Sequence, residues 1–284
     1  TSTLSYSTSH WNTAQTVTVY GVDDTLSDDN QTFSVTLGSV TSSDANYAGK
    51  NPDDVSVTNV DNETASITVS TLSGNTTEMG GTATFTVVLD SQPTSDVSIA
   101  VSSSDTSEAT ISPSSLTFDS SNYSTLQTVT VTGVDDFYDD DNVSYTITVD
   151  PSSSIASYNT MTSSTVTGSN IDNDTAAITV GAKSGNTSEF GTTATINVTL
   201  ATIPTANVSI VVTDNDSTEV SITPTTLTIT PSTWNTTNQV TLTGQDDSDN
   251  DGNITFRISF GNATSTDSKY NGMAPSPAFV DVIN

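Results

Sequence analysis

Carboxylates dominate the reactive chemistry of this chain. Thirty-three Asp and Glu stand against Lys50, Lys183, Arg257 and Lys269, for a formal charge of −29 over 284 residues. Pairs of acids follow a glycine in Gly21-Val22-Asp23-Asp24, Gly133-Val134-Asp135-Asp136 and Gly244-Gln245-Asp246-Asp247. Two carboxylates at close range can cleave a glycosidic bond or hold a hard cation. A catalytic pair should occur once, and these recur, so binding is the better match. His10 is the only histidine, and no nucleophile-elbow pattern surrounds any serine, which leaves a Ser-His-Asp hydrolase without its parts. Phosphate-cradling glycine loops, dinucleotide fingerprints and His-containing metal clusters are missing, and there is no cysteine. The chain is therefore not expected to be an enzyme.

The charge also excludes partners. Nucleic acid or an anionic membrane needs a basic patch, and no run of about 18 apolar residues is present for membrane insertion. Self-repulsion of this size requires carboxylates that are dispersed, screened or neutralised by bound cations, with calcium the candidate outside cells.

The elements that must position these acids read as strands. Ala83, Phe85, Val87 and Leu89 alternate with polar residues, as do Val97, Ile99 and Val101, Val129 and Val131, and Tyr145, Ile147 and Val149. Asp, Asn, Gly and Pro turns separate these runs, and no helix is evident. The stretches 9–24, 121–136 and 232–247 are copies of one another, their aromatics Trp11, Tyr123 and Trp234 lying 112 and 111 residues apart. Tyr47, Tyr158 and Tyr270 keep the same phase, and both aromatic sets read as packing residues. Strands are predicted at roughly 64–71, 82–90, 96–103, 108–118, 126–133, 143–150 and 163–170, a number suited to a Greek-key sandwich. The threonine rows, such as Thr128, Thr130 and Thr132, are ordinary outward strand positions.

The fold class is thus all-β, with tandem immunoglobulin-like Greek-key sandwiches at 62–172 and 173–284. Residues 1–61 match only the second half of a module, Thr1 falling at the phase of Pro113. Three strands alone leave a core face and an edge exposed, so upstream residues or strands donated by another molecule are expected to complete them. Thr1 takes the place of an initiator Met, as in a processed product or part of a longer polypeptide.

The order of features resembles the Calx-beta module. Glu78-Met79-Gly80 and Glu189-Phe190-Gly191 precede a strand, Gly-Val-Asp-Asp follows another, an acidic loop comes next, and Asp-Asn-Asp or Asp-Asn-Glu closes the unit. That resemblance covers nearly the whole chain and implies calcium at one tip of each sandwich, near the joint with the next. Carried over by position, it implies ligands Glu78, Asp135, Asp136, Asp140, Asp172 and Asp174 in the middle copy. In the last copy it implies Glu189, Asp246, Asp247 and Asp251, and in the first Asp23, Asp24, Asp28 and Asp61. An acidic position before the sixth strand of the family is Asn30, Asn142 or Asn253 here, a departure from the pattern.

Those three asparagines open glycosylation sequons, at the parity facing away from Phe33, Tyr145 and Phe256. Further sequons begin at Asn62, Asn75, Asn122, Asn173, Asn186, Asn197, Asn207, Asn215, Asn235 and Asn262. N-linked glycans are expected on this surface, with a conflict at Asn173, which lies between two candidate ligands. The expected function is an extracellular or cell-surface structural glycoprotein, a filament subunit joined head-to-tail to copies of itself or to flanking modules. The alternative is a calcium-stiffened extender of a large bacterial adhesin.

Overall fold

The computed structural model describes residues 3–246, 252–277 and 279–283. Near the N-terminus β1 (Gln31–Val35) and β2 (Val55–Asn59) form a two-stranded antiparallel ladder. A first sandwich follows, from β3 (Ile67–Val69), β4 (Thr76–Thr77), β5 (Thr82–Leu89), β6 (Val97–Ser103), β7 (Ala109–Ser112), β8 (Ser115–Phe118), β9 (Gln127–Gly133), β10 (Val143–Ser153) and β11 (Ser164–Ile171). One helical turn, α1 (Ala156–Asn159), interrupts it. Its sheets have the orders β3-β5-β9-β7 and β4-β11-β10-β6-β8. The second sandwich comprises β12 (Ile178–Val180), β13 (Thr193–Leu200), β14 (Val208–Asp214), β15 (Val220–Thr223), β16 (Thr226–Ile229), β17 (Asn238–Gly244), β18 (Thr255–Phe260) and β19 (Phe279–Ile283). These pair as β12-β13-β17-β15 and β16-β14-β18-β19. The protein is an all-β, Greek-key sandwich structure.

Alternation explains why each sheet has one dry face. In β5, Ala83, Phe85, Val87 and Leu89 are buried while Thr84, Thr86 and Val88 take the outer parity. Phe85, Val87 and Leu89 meet Val97, Ile99, Tyr145 and Ile147 from the opposing sheet in one apolar core, and Ile196, Ile210, Leu242 and Phe256 occupy a second core. Tyr158 and Tyr270 are fully buried, their hydroxyls donating to the carbonyls of Ser91 at 3.1 Å and Thr202 at 2.8 Å.

The predicted single strand 108–118 is two strands on opposite sheets. β7 pairs with β9 and β8 pairs with β6, with Pro113 between them. Proline has no N–H for a ladder, so pairing stops there and the chain crosses over. Pro224 separates β15 from β16 in the same way.

The larger departure lies in residues 3–61. The stretch 15–21, in phase with β9, is not a strand, and Val17, Val19 and Tyr20 are exposed. The cause is the absence of neighbours: β9 is held between β5 and β7, which both belong to the earlier part of the sandwich. Without a ladder on either side, high β-propensity has nothing to pair with.

Candidate cation-binding tip

Local sequence explains how the acids reach one end of the first sandwich. Glu78 leaves β4 on a sharp turn, Gly80 taking φ +78°, and its own N–H donates to Ile171 O at 3.1 Å. Gly133 ends β9 where a Cβ would collide with the Thr77 carbonyl and the Asn170 side chain, so only glycine lets β9 pass that close before Asp135 and Asp136. Asp141 adopts φ +64°, folding the acidic loop back, and its N–H donates to Asp172 Oδ2 at 2.9 Å.

Two carboxylate groups result. Glu78, Asp135 and Asp174 place ligand oxygens within 4.8 Å of one another, and so do Glu108, Asp136 and Asp140. Glu78 and Glu108 are buried, Asp136 and Asp174 half-buried, and Asp135 and Asp140 exposed. Hydrogen bonds fix the geometry: Asn173 N–H donates to Glu78 Oε2 at 3.0 Å, Asn173 Nδ2 to Asp135 Oδ1 at 3.1 Å, and Asn170 Nδ2 to Glu108 Oε2 at 3.2 Å. Asp174 Oδ2 is buried with no hydrogen-bond partner, an acceptor left for something else to satisfy.

Burial and mutual repulsion raise the proton affinity of these groups. Desolvation first, then the charges of Asp172, Asp136 and Asp140, push Glu78 up to about 7 against an opposing bond from Asn173. Asp140 rises to about 6 through burial and the charges of Glu108, Asp136 and Asp172. Glu108 and Asp174 are raised as well, burial leading in both. A site of hard oxygens that resists ionisation on its own suits a divalent cation, which supplies the missing positive charge. The residues present therefore fit calcium.

Five of the six positions suggested for this copy enter the groups, and Asp172 does not. Its Oδ1 accepts Asp174 N–H at 2.6 Å and its Oδ2 accepts Asp141 N–H, so it shapes the closing turn. Glu108 was missed by the sequence reading, although a signal existed: Glu219 repeats it 111 residues on, each opening an inward-facing strand, and both are buried. Asp139 was missed too. Its Oδ2 accepts Ala176 N–H at 2.7 Å, and its Oδ1 takes Lys269 Nζ from the second sandwich at 2.6 Å.

The other two copies differ. In the second sandwich Glu189 and Asp246 are exposed, Glu219 is buried, and Asp247 and Asp251 lie outside the described residues. In the first copy Asp61 Oδ2 accepts the N–H groups of Asp28 and Asp29 at 3.0 and 2.8 Å, and Asp24 caps Leu26 N–H at 2.8 Å. Asp23 and Asp61 press on Glu63, which is raised chiefly by burial. Among the described residues, grouped carboxylates of the kind above occur only at the tip of the first sandwich.

The sequon asparagines are exposed except Asn122, which is half-buried, its Oδ1 accepting Asp119 N–H at 2.7 Å. Asn30 Oδ1 accepts Asp61 N–H at 3.0 Å and Asn142 Oδ1 accepts Asp172 N–H at 3.1 Å, so both also tie the acidic loop to the module end. The sole histidine lies on an exposed turn, Nδ1 at 2.9 Å from Ser9 Oγ.

No protein-family model matches the chain, and no curated protein matches it. Similar solved structures include CBD12 from CALX1.2, with TM-score 0.31 and 14% identity over 69% of this chain and 79% of that one. Another is the CsuC–CsuE chaperone–tip adhesion subunit complex of Acinetobacter baumannii Csu pili, at 0.30 and 8% over 52% and 81%. The collagen adhesin of S. aureus aligns at 0.23 and 11% over 77% and 92%. Likeness at this level leaves the functional reading to the residues themselves. Among the described residues no helix is long and apolar enough to cross a membrane.

Proposed function

We propose that this chain is an extracellular structural glycoprotein, a subunit of a filament built by head-to-tail association of Calx-beta-like modules. Its units are the sandwiches 62–172 and 173–284, preceded by the half-module 1–61. One observation carries the reading. Phe33 is 43% exposed where its counterparts Tyr145 and Phe256 are 2% and 1%, and Tyr47 is 60% exposed where Tyr158 and Tyr270 are 0%. Side chains that the repeat buries twice are uncovered once, and this exposure is what supports reading the surface as one that associates. Burial at about 25 cal/mol per Å2 of apolar surface, with main-chain ladders, supplies the affinity.

Calcium at the acidic tip is held by Glu78, Asp135 and Asp174 and by Glu108, Asp136 and Asp140. When bound it cancels repulsion between the closing turn and the acidic loop, and so stiffens the joint with the following module. N-linked glycans on the exposed sequons keep the flanks apart. Electron microscopy of the native material tests the assembly: filaments with a repeat of one chain are expected, and isolated flexible rods without subunit periodicity count against it. An intact mass equal to the bare polypeptide removes the glycans.

A second reading, an extender segment of a large cell-surface adhesin, is favoured by the joints. Ile203 N–H donates to Phe137 O at 2.7 Å, and one repeat earlier Gln92 N–H donates to Thr25 O at 2.8 Å. A joint repeated in this way makes a rod whether or not the rod polymerises.

A further inference from the structure

The two complete sandwiches differ along the seam beside the first strand of each. In the second, the connection after Met273 runs onto the outer edge of β12. Val180 N–H donates to Ser276 O at 3.0 Å and Ser276 N–H to Ile178 O at 2.9 Å, a parallel bridge centred on Thr179. Pro275, next to it, is buried. Ala176, Ile178 and Val180 under this strap are 8, 2 and 4% exposed.

The first sandwich has no strap. Val166 and Val280 hold the same ladder position, opposite Ile147 and Ile258, but the path from Tyr158 to Val166 spans eight positions and that from Tyr270 to Val280 ten. With the shorter connection Ala65, Ile67 and Val69, in phase with the three buried residues, are only half-buried. Asp90 N–H donates to Ser66 O and Ser70 N–H to Thr86 O, so the main-chain groups of Ile67 and Val69 face away from β5. Among the described residues nothing bonds the outward Val69 N–H or the Ile67 carbonyl. Two clefts follow this edge, one of about 280 Å3 between Ile67 and Met161 and one of about 320 Å3 between Val69 and Val166. No charged residue lines either, in a chain with 33 acids.

We propose that this groove binds an extended, uncharged, proline-containing segment of another protein, added parallel to β3 as Ala274-Pro275-Ser276-Pro277 adds to β12. The second sandwich gives the reason for each part of that description. One residue makes both main-chain bonds, as Ser276 does, so its neighbours need no N–H and proline is accepted on both sides. The proline ahead of it is buried, as Pro275 is. A segment that is already extended loses little freedom on docking. A charge would be buried there without a counter-charge. Clefts near the roughly 300 Å3 lower limit of ligand sites admit a strand and not a folded domain. The groove lies on a complete sandwich and is independent of how residues 3–61 are covered.

The probe is the end-blocked peptide Gly-Met-Ala-Pro-Ser-Pro-Ala, titrated into the full isotope-labelled chain. Saturable NMR shifts are expected at Thr68 and Val69 and not at Thr179 and Val180, whose edge is occupied. Val69 amide exchange is expected to slow about tenfold at ten times the dissociation constant. Methylating the nitrogen of the peptide serine removes the donor to Ile67 O and is expected to weaken binding at least tenfold; equal binding by that peptide overturns the proposal, as does the absence of saturable shifts at millimolar peptide. In a second variant Thr162-Ser163 is replaced by Ala-Pro-Ser-Pro, which gives the first sandwich the longer connection. Protection of Val69 without peptide and loss of peptide binding are expected, and undiminished binding refutes the site. Val69 protection that grows with chain concentration alone identifies a second copy as the occupant and refutes a separate partner.

Discussion

The ammonium of Lys269 lies 2.6 Å from Asp139 Oδ1, joining the second sandwich to the acidic loop of the first across 130 residues. The same nitrogen lies 2.8 Å from Asp141. Phe137, between Asp136 and Asp139 in sequence, meets the Trp234 ring at 5.7 Å. The loop that supplies Asp135, Asp136 and Asp140 to the carboxylate groups is therefore also the part that grips the next module.

Replacing Lys269 with Met should loosen the joint more than the fold. Lys269 is partly exposed, so the global cost is expected to be small beside the loosening of the joint. Spin labels placed on the two sandwiches should report a broader distance distribution in the variant. An unchanged distribution would show that Phe137, Trp234 and the Ile203 backbone bond hold the joint alone.

The acidic tip predicts an inverted pH response once cations are chelated. Glu78 titrates at 4.5 in its reference state and about 7 when folded, so between those values the folded state binds a proton that the unfolded state does not. Stability must then fall as pH rises from about 4.5 to about 7, by on the order of 3 kcal/mol from this group. Asp140, moving from 3.8 to about 6, adds in the same direction. Calorimetry in chelator should show the first sandwich melting lower at pH 8 than at pH 5. Excess calcium should raise the pH 8 midpoint, and a midpoint indifferent to calcium would remove the metal from the reading.

Glu108→Gln keeps the shape of its side chain and removes one negative ligand. Calcium affinity measured by titration calorimetry is expected to drop at least tenfold, about 1.4 kcal/mol, while the chelated protein is expected to be as stable as the parent or more so, because a buried charge has been deleted. Asp24→Asn, outside the groups, serves as the control with unchanged affinity.

The three in-phase tyrosines form an internal comparison. Tyr158→Phe and Tyr270→Phe each delete a buried hydroxyl and leave an acceptor carbonyl unpaired, at an expected cost of about 1–3 kcal/mol in urea unfolding. Tyr47→Phe should cost next to nothing, since that side chain is exposed. A substantial cost at Tyr47 would mean that residues 3–61 are already covered in solution.

Much of the first sandwich was legible in advance because strand parity is a local property. The predicted strands at 82–90, 96–103, 126–133, 143–150 and 163–170 match β5, β6, β9, β10 and β11 to within a few residues. The failure at 108–118 had a visible cause in Pro113, but which sheet each half joins depends on partners remote in sequence. The acidic tip was an expectation drawn from the Calx-beta resemblance, and Glu108 escaped because a glutamate among strand residues looks like surface until burial is known.

Residues 3–61 separate the two kinds of information. The turn chemistry of the tip forms there unaided: Asn59 Nδ2 reaches Val22 O as Asn170 reaches Val134 O, and Asp29 takes the positive φ of Asp141. Such bonds join residues that turns and one hairpin already bring together, so the amino-acid order alone determines them. The strand at 15–21 does not form, although its residues match β9 nearly one for one, because a strand exists only through a neighbour to pair with. Sequence determined the loops, the parity and the period of this protein. Tertiary structure decided which of its strands are real, since a ladder's hydrogen bonds and a core's dry face are properties of at least two segments at once.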